Sequence, residues 1–129
     1  MMKSTGLRTG QIKNGKWKEF NKRAVLIAEG VYVNDLKHGL WREYYDHTGS
    51  VMIEENYTYG VQHGRYASFH PNGQLWSEGN FTNGMRDGYF RVYDEHGNNV
   101  RNLLFINNHQ IEEIEQPQPA HEVSRKDGG

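Results

Sequence analysis

Seven histidines in a chain of 129 residues are the first candidates for chemistry. His38 and His63 occupy the same place in two similar stretches, His38-Gly39-Leu40-Trp41 and His63-Gly64-Arg65-Tyr66, and Asp87 takes that place in a third, Asp87-Gly88-Tyr89-Phe90. Zinc ligands sit about 2.0–2.1 Å from the ion, so a metal would need these donors to converge within a few ångströms. Equivalent residues of adjacent hairpins lie two strands apart, roughly 9–10 Å between backbones. Turn residues that hydrogen-bond their own loops fit that spacing better than ligands do. His47, His70 and His96 fall in or beside the opposite turns and read the same way.

The other chemistries fare no better. Glu29, Glu54 and Glu78 form a column that reads as a solvated face. Ser68 stands near His70, but the positioned third group of a nucleophile site is missing. Every glycine cluster belongs to a repeat, so none reads as a phosphate loop, and the absence of cysteine excludes thiolate and disulfide chemistry. The expectation is a non-enzymatic protein with no metal and no cofactor.

What positions these residues is a repeat. Tyr32, Tyr57, Phe81 and Phe105 are separated by 25, 24 and 24 residues, and Gly39, Gly64 and Gly88 by 25 and 24. The extra residue falls in Asp46-His47-Thr48-Gly49, where an insertion costs little. A degenerate copy, Asn14-Gly15-Lys16-Trp17-Lys18-Glu19-Phe20, precedes these units, and a half copy from Asn102 to Asn108 follows. Stacked arrays need such atypical ends as caps. Each unit reads as two strands with a tight turn, such as His70-Pro71-Asn72-Gly73, and a longer connection, such as Asn34-Asp35-Leu36-Lys37-His38-Gly39.

Alternation in the first strand of each unit separates two faces. Leu26, Ala28, Gly30 and Tyr32 share one face with Val51, Ile53, Tyr57, Leu75, Gly79, Phe81, Leu103 and Phe105. Glu54, Asn56, Thr58, Glu78, Asn80 and Thr82 take the other. In the second strand the rings are three apart, as in Trp41 and Tyr44, so either a bulge reconciles them or both faces carry a ring. The fold expected is all-β: an elongated antiparallel meander of tandem β-hairpins in a single-layer twisted sheet. It divides into a lead-in over 1–9, an array of about four units over 10–108 and a polar, largely disordered tail over 109–129. The start of that tail, from Ile111, is expected as a helical turn or short amphipathic helix.

Phe81-Thr82-Asn83-Gly84-Met85-Arg86-Asp87-Gly88-Tyr89-Phe90-Arg91-Val92-Tyr93 resembles the MORN repeat, in particular the bacterial variant found in an antitoxin-like family. Residues 57–69 match with Tyr59 in place of Asn, and residues 32–44 with Asp35 in place of the first Gly. The resemblance implies a sheet of successive hairpins. It also implies protein–protein or membrane-associated scaffolding, and in the bacterial variant an antitoxin or immunity role.

Composition agrees with a binding module. Apolar residues make up 35% of the chain but aromatics 12%, so hydrophobicity resides in rings more than in a large aliphatic core. Mean hydropathy is −0.93, and no apolar run approaches the roughly 20 residues of a membrane helix. With no apolar leader at its start, a cytoplasmic protein is expected. Residues 1–42 carry nine Lys/Arg against three Asp/Glu, and residues 43–129 carry six against thirteen. The basic end leaves open an anionic membrane surface as an alternative partner.

Basic residues beside rings, as in Lys16-Trp17-Lys18, are compatible with single-stranded nucleic acid. Glu43, Glu54, Glu55, Glu78, Asp87, Asp94 and Glu95 oppose phosphate along most of the array. The expected partner is another protein, a toxin in the family reading, with a second copy by edge-strand or face packing also open. A small ligand in an aromatic cleft between subunits is a further alternative. The expected contact surface is a repeated aromatic column, Trp17, Trp41, Tyr44, Tyr66, Phe69, Phe90 and Tyr93, with Arg42, Arg65 and Arg91, part of it left uncovered by a sheet that has no second layer.

Overall fold

Both central residues of a two-residue hairpin of type I′ need positive φ, and Asn followed by Gly meets that need at least cost. The computed structural model, which describes residues 3–9 and 12–114 with side chains from 12 to 113, places such pairs at four hairpins among the described residues. They are Asn34-Asp35 (φ 48° and 69°), Tyr59-Gly60 (44° and 87°), Asn83-Gly84 (50° and 83°) and Asn107-Asn108 (49° and 69°). The connection expected to be long is therefore a tight turn. The strand resumes at once and is interrupted near His63 and Asp87, just before Gly64 and Gly88.

The strands run β1 (Lys3–Thr9), β2 (Ile12–Phe20), β3 (Leu26–Val33), β4 (Leu36–Tyr44), β5 (Val51–Thr58), β6 (Val61–Gln62), β7 (Gly64–Phe69), β8 (Leu75–Thr82), β9 (Met85–Arg86), β10 (Gly88–Tyr93), β11 (Asn99–Ile106) and β12 (His109–Ile114). Each pairs antiparallel with its neighbour in sequence, apart from the short β6 and β9, which hang on β5 and β8. The result is one open sheet. The meander of hairpins expected from the repeat is the fold.

Both ends extend further than the sequence indicated. The lead-in supplies β1, paired with β2. His109–Ile114, expected as the start of the tail with a helical turn, is a strand instead, because the Asn107-Asn108 turn folds it back onto β11. Arg101 and Glu113 fasten it with two contacts of 2.8 and 3.0 Å. The rest of the expected tail, 115–129, lies outside the described residues.

The extra residue of the 25-residue interval is where the sequence places it. Tyr45 and Ser50 close a loop one residue longer than those closed by His70 with Gln74 and by Asp94 with Asn98. At the far end of each short loop the register slips by one. Phe20 faces Leu26, Tyr44 faces Val51, Phe69 faces Leu75 and Tyr93 faces Asn99, so Ile27, Met52, Trp76 and Val100 are left as bulged residues. The slip moves Leu26, Val51 and Leu75 off the face assigned to them by strict alternation, because a one-residue shift exchanges faces.

A single layer must make its own core. On one face, here the ring face, Trp17, Tyr32 and Trp41 pack edge to face at centroid distances of 5.4 and 5.0 Å. Farther along, Phe81, Phe90 and Phe105 follow at 5.7 and 5.4 Å, with Tyr66 at 5.9 Å from Phe81. Trp41 lies over Gly30 and Phe90 over Gly79, so closely that a Cβ at either glycine would fall inside the ring. Long polar side chains close the rings from above. Lys13 Nζ sits 4.9 and 4.7 Å from the Trp17 and Tyr32 rings, Lys37 Nζ 4.8 and 5.3 Å from Trp41 and Tyr57, and the Arg86 guanidinium 4.3 Å from Phe105. Each edge-to-face pair contributes about 0.5–1.5 kcal/mol beyond its burial.

Overpacking a tight core costs about 1–3 kcal/mol, so Gly79→Ala is expected to lower stability by at least that much in urea denaturation. Phe90→Leu in the Gly79→Ala background should recover part of the loss. A Gly79→Ala protein as stable as the parent would show that the ring does not rest on that glycine.

Candidate functional site

The candidate residues divide between the two faces. Trp17, Trp41 and Phe90 are on the ring face with Tyr66, and they are 4%, 4% and 8% exposed. They form the core of the layer. The expectation that this column is the contact surface is corrected for those three residues: each lies on a glycine gap or against a neighbouring ring, and Lys13, Lys37 and Arg86 cover the row. Tyr66 is half-buried in the same row.

Tyr44, Phe69 and Tyr93 go to the opposite face, here the ladder face, together with Arg42, Arg65 and Arg91. Three steps of regular strand from Trp41 to Tyr44 give opposite directions, so both faces carry a ring. Across the ladder face the register sets Lys18 opposite Glu29, Glu29 opposite Arg42, Arg42 opposite Glu54, Glu54 opposite Ala67, Ala67 opposite Glu78 and Glu78 opposite Arg91. Facing cross-strand residues share a side of the sheet, so this is a row of alternating charge. Arg42 Nε meets Glu54 at 2.9 Å and Arg65 meets Glu78 at 3.3 Å. Exposed pairs like these are worth about 0–1 kcal/mol, so the row contributes pattern more than stability.

Two grooves on this face are related by the repeat. One, of about 340 Å3, is lined by Lys16, Lys18, Glu29, Val31, Leu40 and Arg42 among others. The other, of about 440 Å3, is lined by Arg65, Glu78, Asn80, Asp87, Tyr89 and Arg91 among others. A glutamate sits at the centre of each, between cations, with one exposed apolar side chain, Leu40 or Tyr89, at the margin.

Beyond the grooves runs a surface that the sequence reading missed. Ile12, Leu36, Val61 and Met85 follow the long turns at intervals of 24, 25 and 24 residues, and each is 41–45% exposed. The pairs Val33 with Leu36, Thr58 with Val61 and Thr82 with Met85 put them on the ladder face at its edge. Leu36 is next to the backbone of Gly60 and Val61 next to that of Gly84, which bring successive members together. Tyr59, 57% exposed, stands among them. The signal in the sequence was the same period that gave the repeat, in the residue after each turn.

Two histidines tie successive units together. The Tyr59 amide donates to His38 Nδ1 at 3.1 Å, and the Asn83 amide to His63 Nδ1 at 3.1 Å. Each histidine thus bonds the next unit's turn, not its own loop as expected. Backbone bonds from Asp35 to Lys13, Gly60 to Lys37, Gly84 to Gln62 and Asn108 to Arg86 repeat the link along the array. At the other end of the units, Tyr45 donates to the Phe69 carbonyl at 2.6 Å and His70 Nε2 to the Tyr93 carbonyl at 2.8 Å.

The tyrosines of the ladder face are held in their neutral form. Burial, then hydrogen bonding to Glu29, pushes Tyr44 up to about 12, and burial with Glu78 raises Tyr93 in the same way. Tyr57 on the ring face is raised too, by burial and then by Glu55. A pKa higher in the folded than in the unfolded chain means stability that is whole below pH 10 and is lost as pH rises from there through about 12. Alkaline titration followed by tyrosinate absorbance should show a late class among the eight tyrosines, ionising together with unfolding. Tyr44→Phe should remove one member of that class, and complete titration of every tyrosine near pH 10 with the sheet intact would contradict the burial argument.

Residues 62–83, which take in β7, the short loop and β8, match the family described as a MORN repeat variant. No curated protein matches the chain. The matched segment holds Gly64, Tyr66, Phe69, Gly73, Gly79 and Phe81, the residues that set the turns and rings of one unit. The match supports reading this array of hairpins as MORN repeats.

Proposed function

We propose that this chain is a non-enzymatic protein-binding repeat module that takes its partner on the ladder face, along the edge formed by Ile12, Leu36, Tyr59, Val61 and Met85. The observation that carries the proposal is Tyr59. It holds φ of 44°, a left-handed conformation that costs a bulky L-residue roughly 1–2 kcal/mol and that Asn adopts readily. The equivalent positions are Asn34, Asn83 and Asn107. A large ring kept in a strained turn, more than half exposed with one side against the His38 ring at 4.3 Å and next to the exposed Val61, fits a contact residue better than a structural one.

The charge ladder beside the edge supplies orientation, since alternating rows reject a partner placed one strand out of register. The finer reading is an antitoxin- or immunity-type role, in which the edge occludes a harmful partner. It rests on the family resemblance of residues 81–93; the match over residues 62–83 speaks for the repeat alone.

Tyr59→Asn should raise stability by about 0.5–1 kcal/mol, because it relieves the turn, while weakening partner binding. Val61→Lys combined with Met85→Lys should leave the fold intact and lower affinity at least tenfold. The measurement is photo-crosslinking from position 59 in the native host, with the double variant as control. Identical crosslinked partners for both proteins would remove this edge as the binding surface. Failure of the captured partner to harm cells when produced alone would sink the antitoxin reading and leave the binding reading standing.

A further inference from the structure

The bulge at β8 leaves one tryptophan outside the ring row. Trp76 is the bulged residue opposite Phe69, and it is 44% exposed while Trp17 and Trp41 are 4% exposed. One side of its indole is covered by the His70 ring, stacked at 4.5 Å with an interplanar angle of 11°. His70 is itself buried and fixed by its bond to the Tyr93 carbonyl, so the indole rests on an immobile support. Around it lies a cleft of about 690 Å3 lined by Tyr45, Pro71, Val92, Val100, Asp94 and Glu95, with Asn72 and Tyr93 completing the wall. No lysine or arginine among the described residues lines it.

Two carboxylates stand at the rim of this aromatic cleft. Asp94 accepts from the amides of His96 and Asn98 at 2.9 Å each and from Asn98 Nδ2 at 3.1 Å. These bonds, above all those from Asn98, hold its pKa below the ordinary value, so it is charged at neutral pH. Glu95 is exposed, and its carboxylate makes no ion pair among the described residues. Asn72 donates to the Glu95 carbonyl at 2.9 Å and ties the acidic loop to the loop before it.

We infer that this cleft is a docking site for an arginine side chain presented by a protein partner. A planar guanidinium can lie on the uncovered face of Trp76 and fork its donors toward Glu95 and Asp94, which a compact ammonium does less well. The apolar walls Pro71, Val92 and Val100 take the methylene stem. The source of the arginine rests on the protein-binding reading; the cleft itself does not. Trp76 is on the ring face, opposite Val61 and Met85, so the two surfaces are tested separately.

The probe is a blocked tetrapeptide containing two arginines, with its citrulline counterpart as the neutral analogue of the same shape. The full chain gives three tryptophan indole N–H signals by nitrogen-15 NMR. The arginine peptide should shift the Trp76 signal to saturation and leave those of Trp17 and Trp41 in place. The citrulline peptide should bind about tenfold more weakly. Glu95→Gln should weaken the arginine peptide about threefold without disturbing the spectrum elsewhere, and Trp76→Leu should abolish binding.

Added salt should lower the affinity. Equal affinity for the two peptides, an unmoved Trp76 signal or an insensitive Glu95→Gln variant would each overturn the inference. If the peptide fails to bind while crosslinking from position 59 still depends on Val61 and Met85, the cleft is refuted and the binding module is not.

Discussion

A sheet with one layer has nothing to pack against, and the contact that resolves this is an aromatic ring laid on a glycine of the next strand. Trp41 over Gly30 and Phe90 over Gly79 bring ring and backbone together at a separation that no side chain would permit. There a large apolar group is buried within the thickness of a single sheet. The remaining features of the ring face follow from it. Rings from neighbouring strands meet edge to face along this row. The lysines and arginine above them spread methylene stems over the row and set their charges over the π faces. An array built this way is stabilised unit against unit, as in other quasi-one-dimensional repeats.

Much of this was legible in the residues. The 24-residue period, the place of the extra residue and the left-handed Gly73 in its loop are local consequences of turn chemistry, and turn chemistry is written in short stretches. The assignment of faces was correct as far as the bulges. Leu26, Val51 and Leu75 were misplaced because a one-residue slip next to Tyr44 or Phe69 has no sequence mark of its own. The long connection was misread for a related reason. Asn34-Asp35 lacks the Gly of Asn83-Gly84, and Tyr59-Gly60 lacks the Asn, so the shared type I′ turn was visible in full only at Asn83-Gly84.

The site was harder to read than the fold. Trp17, Trp41 and Phe90 were expected at the surface because a single layer has no second layer to cover them. Gly30 and Gly79 were placed on the same face as the rings, yet the space they leave was not counted as burial. Conversely, Leu36, Val61 and Met85 looked like ordinary strand residues after a turn. Nothing local distinguishes an aliphatic side chain that faces its own sheet from one that faces outward at its edge. The histidines show the same limit: His38 and His63 bond the neighbouring unit, and a partner about 20 residues away cannot be read from either side chain alone.

The units of one chain also serve as an internal comparison. Positions that build the layer keep their character from unit to unit: Trp17, Trp41, Tyr66 and Phe90 are all rings, and Gly15, Gly39, Gly64 and Gly88 all hold positive φ between 78° and 112°. The second-strand positions that face outward on the ladder side do not, although the first-strand column Glu29, Glu54 and Glu78 does. Lys16, Leu40, Arg65 and Tyr89 occupy equivalent places and are a cation, an aliphatic, a cation and a ring, while Lys18, Arg42 and Arg91 are interrupted by Ala67. A surface that served only to stay in solution would be free to differ at each step. One that reads a partner of fixed sequence must differ, because each unit meets a different part of it. On the proposed reading, the regular edge of Ile12, Leu36, Val61 and Met85 supplies adhesion common to all units, and the variable rows beside it supply the discrimination.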